Sequence, residues 1–143
     1  MKRIILAVTG IVACLLVAGG CNGKKRQAPL EAEATLFDKP LDEIKQYMNG
    51  EWELVSGQNA RETNEFENTF IAFDNDRYVW TEDGKAEPGK LNWRKAETGA
   101  GYEAWLMDVF YAEYPAYPLV IKGDTLYIQD CTATAYKYTL VRK

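Results

Sequence analysis

From Gly50 onward, apolar side chains fall at every second position along most of this chain, the period of a strand with one buried face. Trp52 and Leu54 alternate with Glu51 and Glu53. A second run covers Thr69 to Phe73 and a third Arg77 to Thr81, separated by the turn residues Asp74-Asn75-Asp76. Glu82-Asp83-Gly84 ends the third. A fourth centres on Leu91 and Trp93, and a fifth on Trp105, Met107 and Val109. Pro115 and Pro118 then mark a loop and an edge-like strand start. Tyr117 to Ile121 and Thr125 to Gln129 flank the hairpin turn Lys122-Gly123-Asp124, and Tyr136, Tyr138 and Leu140 form the last run.

Before Gly50 the period is helical. Leu41, Ile44, Tyr47 and Met48 share one face, Asp38 is placed to cap, Pro40 suits the first turn, and Asn49-Gly50 is a stop signal. The pattern thus predicts an all-β fold: a small eight-stranded up-and-down meander barrel preceded by one short helix. Closure would leave no open edge. A small sandwich is the alternative.

The first twenty residues follow another logic. Met1-Lys2-Arg3 is basic, Ile4 to Ala18 is an apolar run, and Gly19 and Gly20 precede Cys21. This reads as a signal peptide over residues 1–20. The run is shorter than the roughly 20 residues that cross a bilayer, so a permanent helical anchor is the weaker reading. Ala18-Gly19-Gly20-Cys21 resembles a lipobox, with Ala in place of the usual Leu, and makes Cys21 the expected lipidation site. Ile11-Val12-Ala13-Cys14 fits the strict pattern better but leaves an apolar core of only about seven residues. Residues 21–37, rich in Lys, Ala, Glu and Pro, read as a lipidated flexible tether, and residues 38–143 as the barrel domain. From Asn22 to Leu36 the tether reaches about 50 Å when extended.

Removing residues 1–20 takes away Lys2 and Arg3 and no acid, so the net charge moves from −4 to −6. That excess of acid excludes nucleic acid as a partner. Lys24-Lys25-Arg26, beside the acylated cysteine, would strengthen attachment to anionic headgroups or simply solubilise the spacer. The expected partner is therefore a membrane, reached through the N-terminal lipid, and the expected place is the cell envelope. Asn22 is unlike an acidic retention residue, which favours the outer membrane facing the periplasm in a two-membrane host. The domain is expected to be a monomer.

Chemistry is sparse. The chain has no histidine and one serine, Ser56, with nothing beside it to activate it. There is no CxxC motif and no phosphate-binding glycine loop. Asp74-Asn75-Asp76 lacks the rest of a calcium loop. Glu65 and Glu67, or Glu82 and Asp83, read as solvated loop acids. No catalytic residue, metal ligand or cofactor is expected, and the protein does not read as an enzyme. Cys131 is the one cysteine within the domain, and without an activating neighbour it reads as a small buried hydrophobe, a reactive thiol being the alternative.

The helix, the Gly50-Glu51-Trp52 triplet, the meander and Arg142 near the end of the last strand together resemble the compact lipocalin-like domains of bacterial envelope lipoproteins, over Asp38 to Lys143. The lipocalin motif Thr-Asp-Tyr is missing. The resemblance implies that Arg142 packs across Trp52 and closes one end, with Gly50 completing the motif. Strand phase points both side chains inward. It also implies that the barrel carries a small hydrophobic ligand or lipid. Trp80, Trp93 and Trp105, on neighbouring inward faces, and Tyr111 and Tyr117, with Tyr114 around the Pro-containing loop, are the candidate ligand contacts. The alternative is a barrel filled by its own aromatics, acting as an interaction module whose loops dock an envelope protein or saccharide.

Overall fold

The computed structural model describes residues 30–109 and 112–143. The expected signal peptide, Cys14, the expected lipidation site Cys21, the expected tether as far as residue 29, and Tyr111 lie outside the described residues. No helix among the described residues is long and apolar enough to cross a membrane.

Among the described residues one helix, α1 (Leu41–Met48), accompanies eleven strands: β1 (Glu33–Thr35), β2 (Gly50–Gln58), β3 (Thr63–Glu65), β4 (Thr69–Asp74), β5 (Arg77–Glu82), β6 (Lys85–Lys90), β7 (Trp93–Glu97), β8 (Glu103–Met107), β9 (Ala116–Lys122), β10 (Thr125–Asp130) and β11 (Lys137–Arg142). All pairings are antiparallel. The order is β6-β5-β4-β2-β11-β10-β9-β8-β7, with β1 added to β9 and β3 to β2.

The all-β expectation holds, but the eight-strand count and the closure do not. β2 and β11 are neighbours, so the meander returns on itself, yet β6 and β7 stand at the two ends of the path and are not paired with each other. β6 explains its own position. Its sequence, Lys-Ala-Glu-Pro-Gly-Lys, is exposed over most of its length, and Pro88 has no N–H for a ladder. Charged side chains and proline are what keep an edge strand from pairing further.

The hairpin into that edge is tight: Asp83 (φ 49°) and Gly84 (φ 78°) supply the two left-handed residues of a type I′ turn. At α1 the expected cap is absent. Pro40 occupies the N-cap position with no side-chain hydrogen bond, and Lys39 bridges to Glu43 at 2.6 Å. Asp42 and Glu43 do sit in the first turn, where the helix dipole favours acid. Ile44, Tyr47 and Met48 are buried.

The helix face joins the main core, which takes Trp52 and Leu54 from β2, Ile71 and Phe73 from β4, Trp80 from β5, Leu126 and Ile128 from β10, and Tyr138 and Leu140 from β11. A second cluster forms on the opposite face of β8 and β9 from Ala104, Leu106 and Tyr117, with Phe37, Tyr102, Leu119 and Cys131 against it. β8 therefore sends Trp105 and Met107 to one core and Ala104 and Leu106 to the other.

That second cluster moves the domain boundary. β1 pairs with β9, Leu36 is fully buried, and the Phe37 ring lies 4.5 Å from that of Tyr102. The folded unit thus includes residues 33–37, which the sequence assigns to the tether. A three-residue strand is too short to display a period.

Candidate functional site

The two ends of the β2–β11 pair are built differently. At one end Gly50, Trp52 and Arg142 meet. Trp52 is fully buried and its Nε1–H donates to the Met48 carbonyl at 2.7 Å, which ties the indole to the end of α1. The Arg142 guanidinium carbon lies 4.1 Å from the Trp52 ring centroid. Its two terminal nitrogens donate to the carbonyls of Asn49 (3.1 Å) and Tyr47 (3.2 Å), which the helix leaves free at its C-terminus. Gly50 makes room. Its φ of 126° is poorly tolerated by other residues, and a Cβ there would sit 2.6 Å from Arg142 Nη1. Helix, glycine, indole and arginine therefore plug this end.

Six residues along β2, about 20 Å away at the rise of a strand, Gln58 pairs with Lys137 and the sheet opens into a cleft of about 420 Å³. Its apolar lining is Phe66, Tyr114, Tyr136 and Tyr138. Phe66 and Tyr136 are partly buried against the main core, Tyr138 is buried, and Tyr114 is 48% exposed. The rims of Tyr136 and Tyr138 approach at a centroid distance of 4.9 Å. Tyr136 is held by Asn64, whose side-chain N–H donates to its hydroxyl at 2.8 Å, and its ring lies across Gly57, where a Cβ would meet the hydroxyl at 2.7 Å. A larger residue at 57 would push the ring off the strand.

The polar lining is acidic: Glu62, Glu113 and Asp130, with Asn59, Asn64 and Thr134. Asp130 is only 6% exposed. Its Oδ1 accepts from the Thr132 N–H (3.0 Å) and hydroxyl (2.7 Å), and no hydrogen bond reaches Oδ2 among the described residues. Burial, reinforced by the negative charge available to Tyr136, Asp130 and Glu113, pushes the Tyr138 hydroxyl up to about 12.

Of the ligand contacts expected from the sequence, Tyr111 lies outside the described residues, and Trp80, Trp93, Trp105 and Tyr117 do not gather at one place. Trp80 is buried in the main core and edges a separate, smaller cleft of about 200 Å³ with Glu82, Asp83, Lys85 and Glu87. Trp93 and Trp105 are partly buried against the same core. Trp93 is paired with Met107, Met107 with Ala116, and Ala116 with Asp130, so its backbone is level with the open end. Its indole Nε1 is buried with no hydrogen-bond partner among the described residues. Tyr117, expected at an exposed rim, is instead fully buried in the second cluster. Its hydroxyl lies 2.6 Å from that of Tyr102 and accepts from Gln129 Nε2 at 2.8 Å. β9 is covered on both faces at this point, so Ala116 and Tyr117 are both buried and strand phase cannot separate rim from core.

The cleft draws on residues outside that set. Phe66, Asn59, Glu62 and Asp130 come from loops and strand ends, where no period exists to reveal them. The one local signal is Asp130 two residues before Thr132, an Asx-turn spacing. A second hollow, of about 340 Å³, lies on the outer face of β2, β4 and β5 beside Phe70 and Val79, where Lys143 Nζ sits 4.2 Å from the Phe70 ring centroid. Among the described residues no group of three or more metal-ligating side chains is assembled. Compared with protein-family models, curated proteins and solved structures, the chain matches none.

Proposed function

We propose that this is a non-catalytic binding protein of the cell envelope, lipocalin-like in plan, held by a lipid on Cys21 at the periplasmic face of the outer membrane. It takes a small, largely apolar ligand at the end of the sheet opposite Arg142. The observation that carries this reading is the cleft of about 420 Å³ floored by Phe66, Tyr136 and Tyr138, at the far end of the same two strands that Trp52 and Arg142 plug. A site with one closed end and one aromatic mouth suits capture of a small molecule. The meander that brings β2 beside β11 and the Gly50-Trp52-Arg142 plug support the lipocalin-like plan.

The test is a panel of fatty acids, sterols and retinoids against the full chain in a non-ionic detergent. A ligand should stabilise the fold by mass action, by about 2.7 kcal/mol at a hundredfold excess over its dissociation constant, and so raise the melting temperature. Tyr114→Ala, at an exposed position of the mouth, should weaken that ligand severalfold while leaving the ligand-free melting temperature in place. Haem is a poor member of the panel, since only a tyrosine, cysteine or methionine is available as an iron ligand. A panel without a single binder, together with capture of an envelope protein or saccharide that Tyr114→Ala abolishes, would replace this reading with the interaction module. The exposure of Tyr114 and Val79 favours that second reading.

A further inference from the structure

The open-end cleft combines two recognition elements that point to one ligand charge. Its aromatic lining is Tyr136, Tyr138, Phe66 and Tyr114, and three carboxylates, Glu62, Glu113 and Asp130, line it as well. No lysine or arginine contributes to the lining among the described residues. Lys137, next to Tyr136 in the chain, turns its ammonium toward Tyr127, 5.4 Å from that ring centroid. Arg61, beside Glu62, is exposed and outside the lining.

Asp130 is the sharpest element. A carboxylate more than nine-tenths buried normally has both oxygens satisfied. Here Thr132 holds Oδ1 alone, which orients the group and leaves Oδ2 for something that is not a described residue. Asp130 and Glu113 also oppose the ionisation of Tyr138, after burial and the neighbouring Tyr136. A neutral apolar ligand would gain nothing from these carboxylates, and an anion would be repelled by them. A cation with hydrocarbon substituents would satisfy Oδ2, neutralise part of the acidic wall and stack on the tyrosine faces, as quaternary and protonated amines do in aromatic cages.

Building on the proposed open-end binding site, we infer that its ligand is an organic ammonium ion, with the charge seated against Asp130 and the apolar substituents on Tyr136, Tyr138 and Phe66. Glu62 and Glu113, at the exposed rim, draw the cation in and act more weakly through solvent.

The test compares three probes of one shape against the full chain in non-ionic detergent: phenyltrimethylammonium, its neutral isostere tert-butylbenzene, and the anion benzenesulfonate. Tyrosine-ring NMR shifts report binding. The cation should bind at least tenfold more tightly than the neutral isostere, and the anion should not bind. Asp130→Asn keeps an oxygen for Thr132 and should weaken the cation at least tenfold without changing the neutral isostere. The paired change Glu62→Gln and Glu113→Gln, at exposed positions, should weaken it about threefold and flatten its dependence on salt. Equal binding of cation and isostere, unmoved by these variants, would overturn the charge assignment while leaving the site in place. Binding of neither, alongside a fatty acid or sterol that still binds, would overturn the charge assignment alone. Failure of every compound would remove the site with it.

Discussion

The two ends of the β2–β11 pair use the same materials, indole, phenol, glycine and a long polar side chain, to opposite effect. At the Arg142 end the polar groups of the plug are bonded: Trp52 Nε1 meets Met48, and the two terminal guanidinium nitrogens meet Asn49 and Tyr47. At the Tyr136 end polar atoms are left over. Trp93 Nε1, level with Asp130, is buried with no hydrogen-bond partner among the described residues, and Asp130 Oδ2 accepts from none of them. An unsatisfied buried donor costs stability, about 1–3 kcal/mol. A fold that completes its hydrogen bonds at one end and not at the other concentrates stability at the first and leaves polar groups free to meet a ligand at the second.

The largest effect that would break this comparison is at the plug. Trp52→Ala should cost about 3–5 kcal/mol in denaturant titration, through the cavity and the lost tie to α1. A loss under 1 kcal/mol would mean that the plug does not hold the fold. Next comes Gly50→Ala, expected to cost about 2–3 kcal/mol from its left-handed backbone and the contact with Arg142. Arg142→Ala alone should cost about 1–2 kcal/mol, limited because Arg142 as a whole is an exposed residue. In the Arg142→Ala background the Gly50→Ala penalty should shrink, since only the backbone strain remains. Simple additivity would show that the glycine and the arginine do not meet.

The open end makes its mark on the alkaline side. The Tyr138 hydroxyl is raised in the folded state, so it contributes stability that is complete below the unfolded value near 10 and is lost as pH climbs toward about 12. Buried Tyr117, raised chiefly by desolvation and by Tyr102, acts in the same direction. Tyr138→Phe should flatten the fall in stability between pH 10 and 12 by roughly 1–2 kcal/mol. An unchanged slope would place the titration elsewhere.

The smallest effect sharpens the contrast most cleanly. Trp93→Phe removes a buried donor that has no partner, so it should change stability by less than about 0.5 kcal/mol, whereas Trp52→Phe removes a bonded one and should cost about 1–3 kcal/mol. Equal costs for the two would erase the distinction between the ends.

How much of this was legible in the sequence follows from where the side chains lie. The helix and the strands that face the core announce themselves, because Ile44, Trp52, Ile71, Leu126 and Leu140 repeat at the right spacing. β3 and β6 do not, because Thr-Asn-Glu and Lys-Ala-Glu-Pro-Gly-Lys have no buried face to alternate. β1 is too short to show a period, so the sequence alone assigns residues 33–37 to the tether. Sheet closure depends on whether two edges pair, and that is decided by proline and charge at β6 rather than by any hydrophobic count. The plug was legible, since it lies in the phase of two strands. The cleft was not, because its acids come from loops (Glu62 and Glu113) and a strand end (Asp130), which no pattern relates. Tyr117 was misplaced because a strand covered on both faces carries no inside-outside code.

The central claim is that one end of the molecule closes it and the other receives a ligand. The most direct measurement is a single NMR titration of the full chain, labelled at tyrosine rings and tryptophan indoles, with phenyltrimethylammonium as the first probe and the panel lipids after it. The account predicts saturable shifts of Tyr136 and Tyr138 with the Trp52 indole unmoved. Saturable shifts centred on Trp52, or tyrosines at 136 and 138 that stay still while a ligand binds, would contradict it.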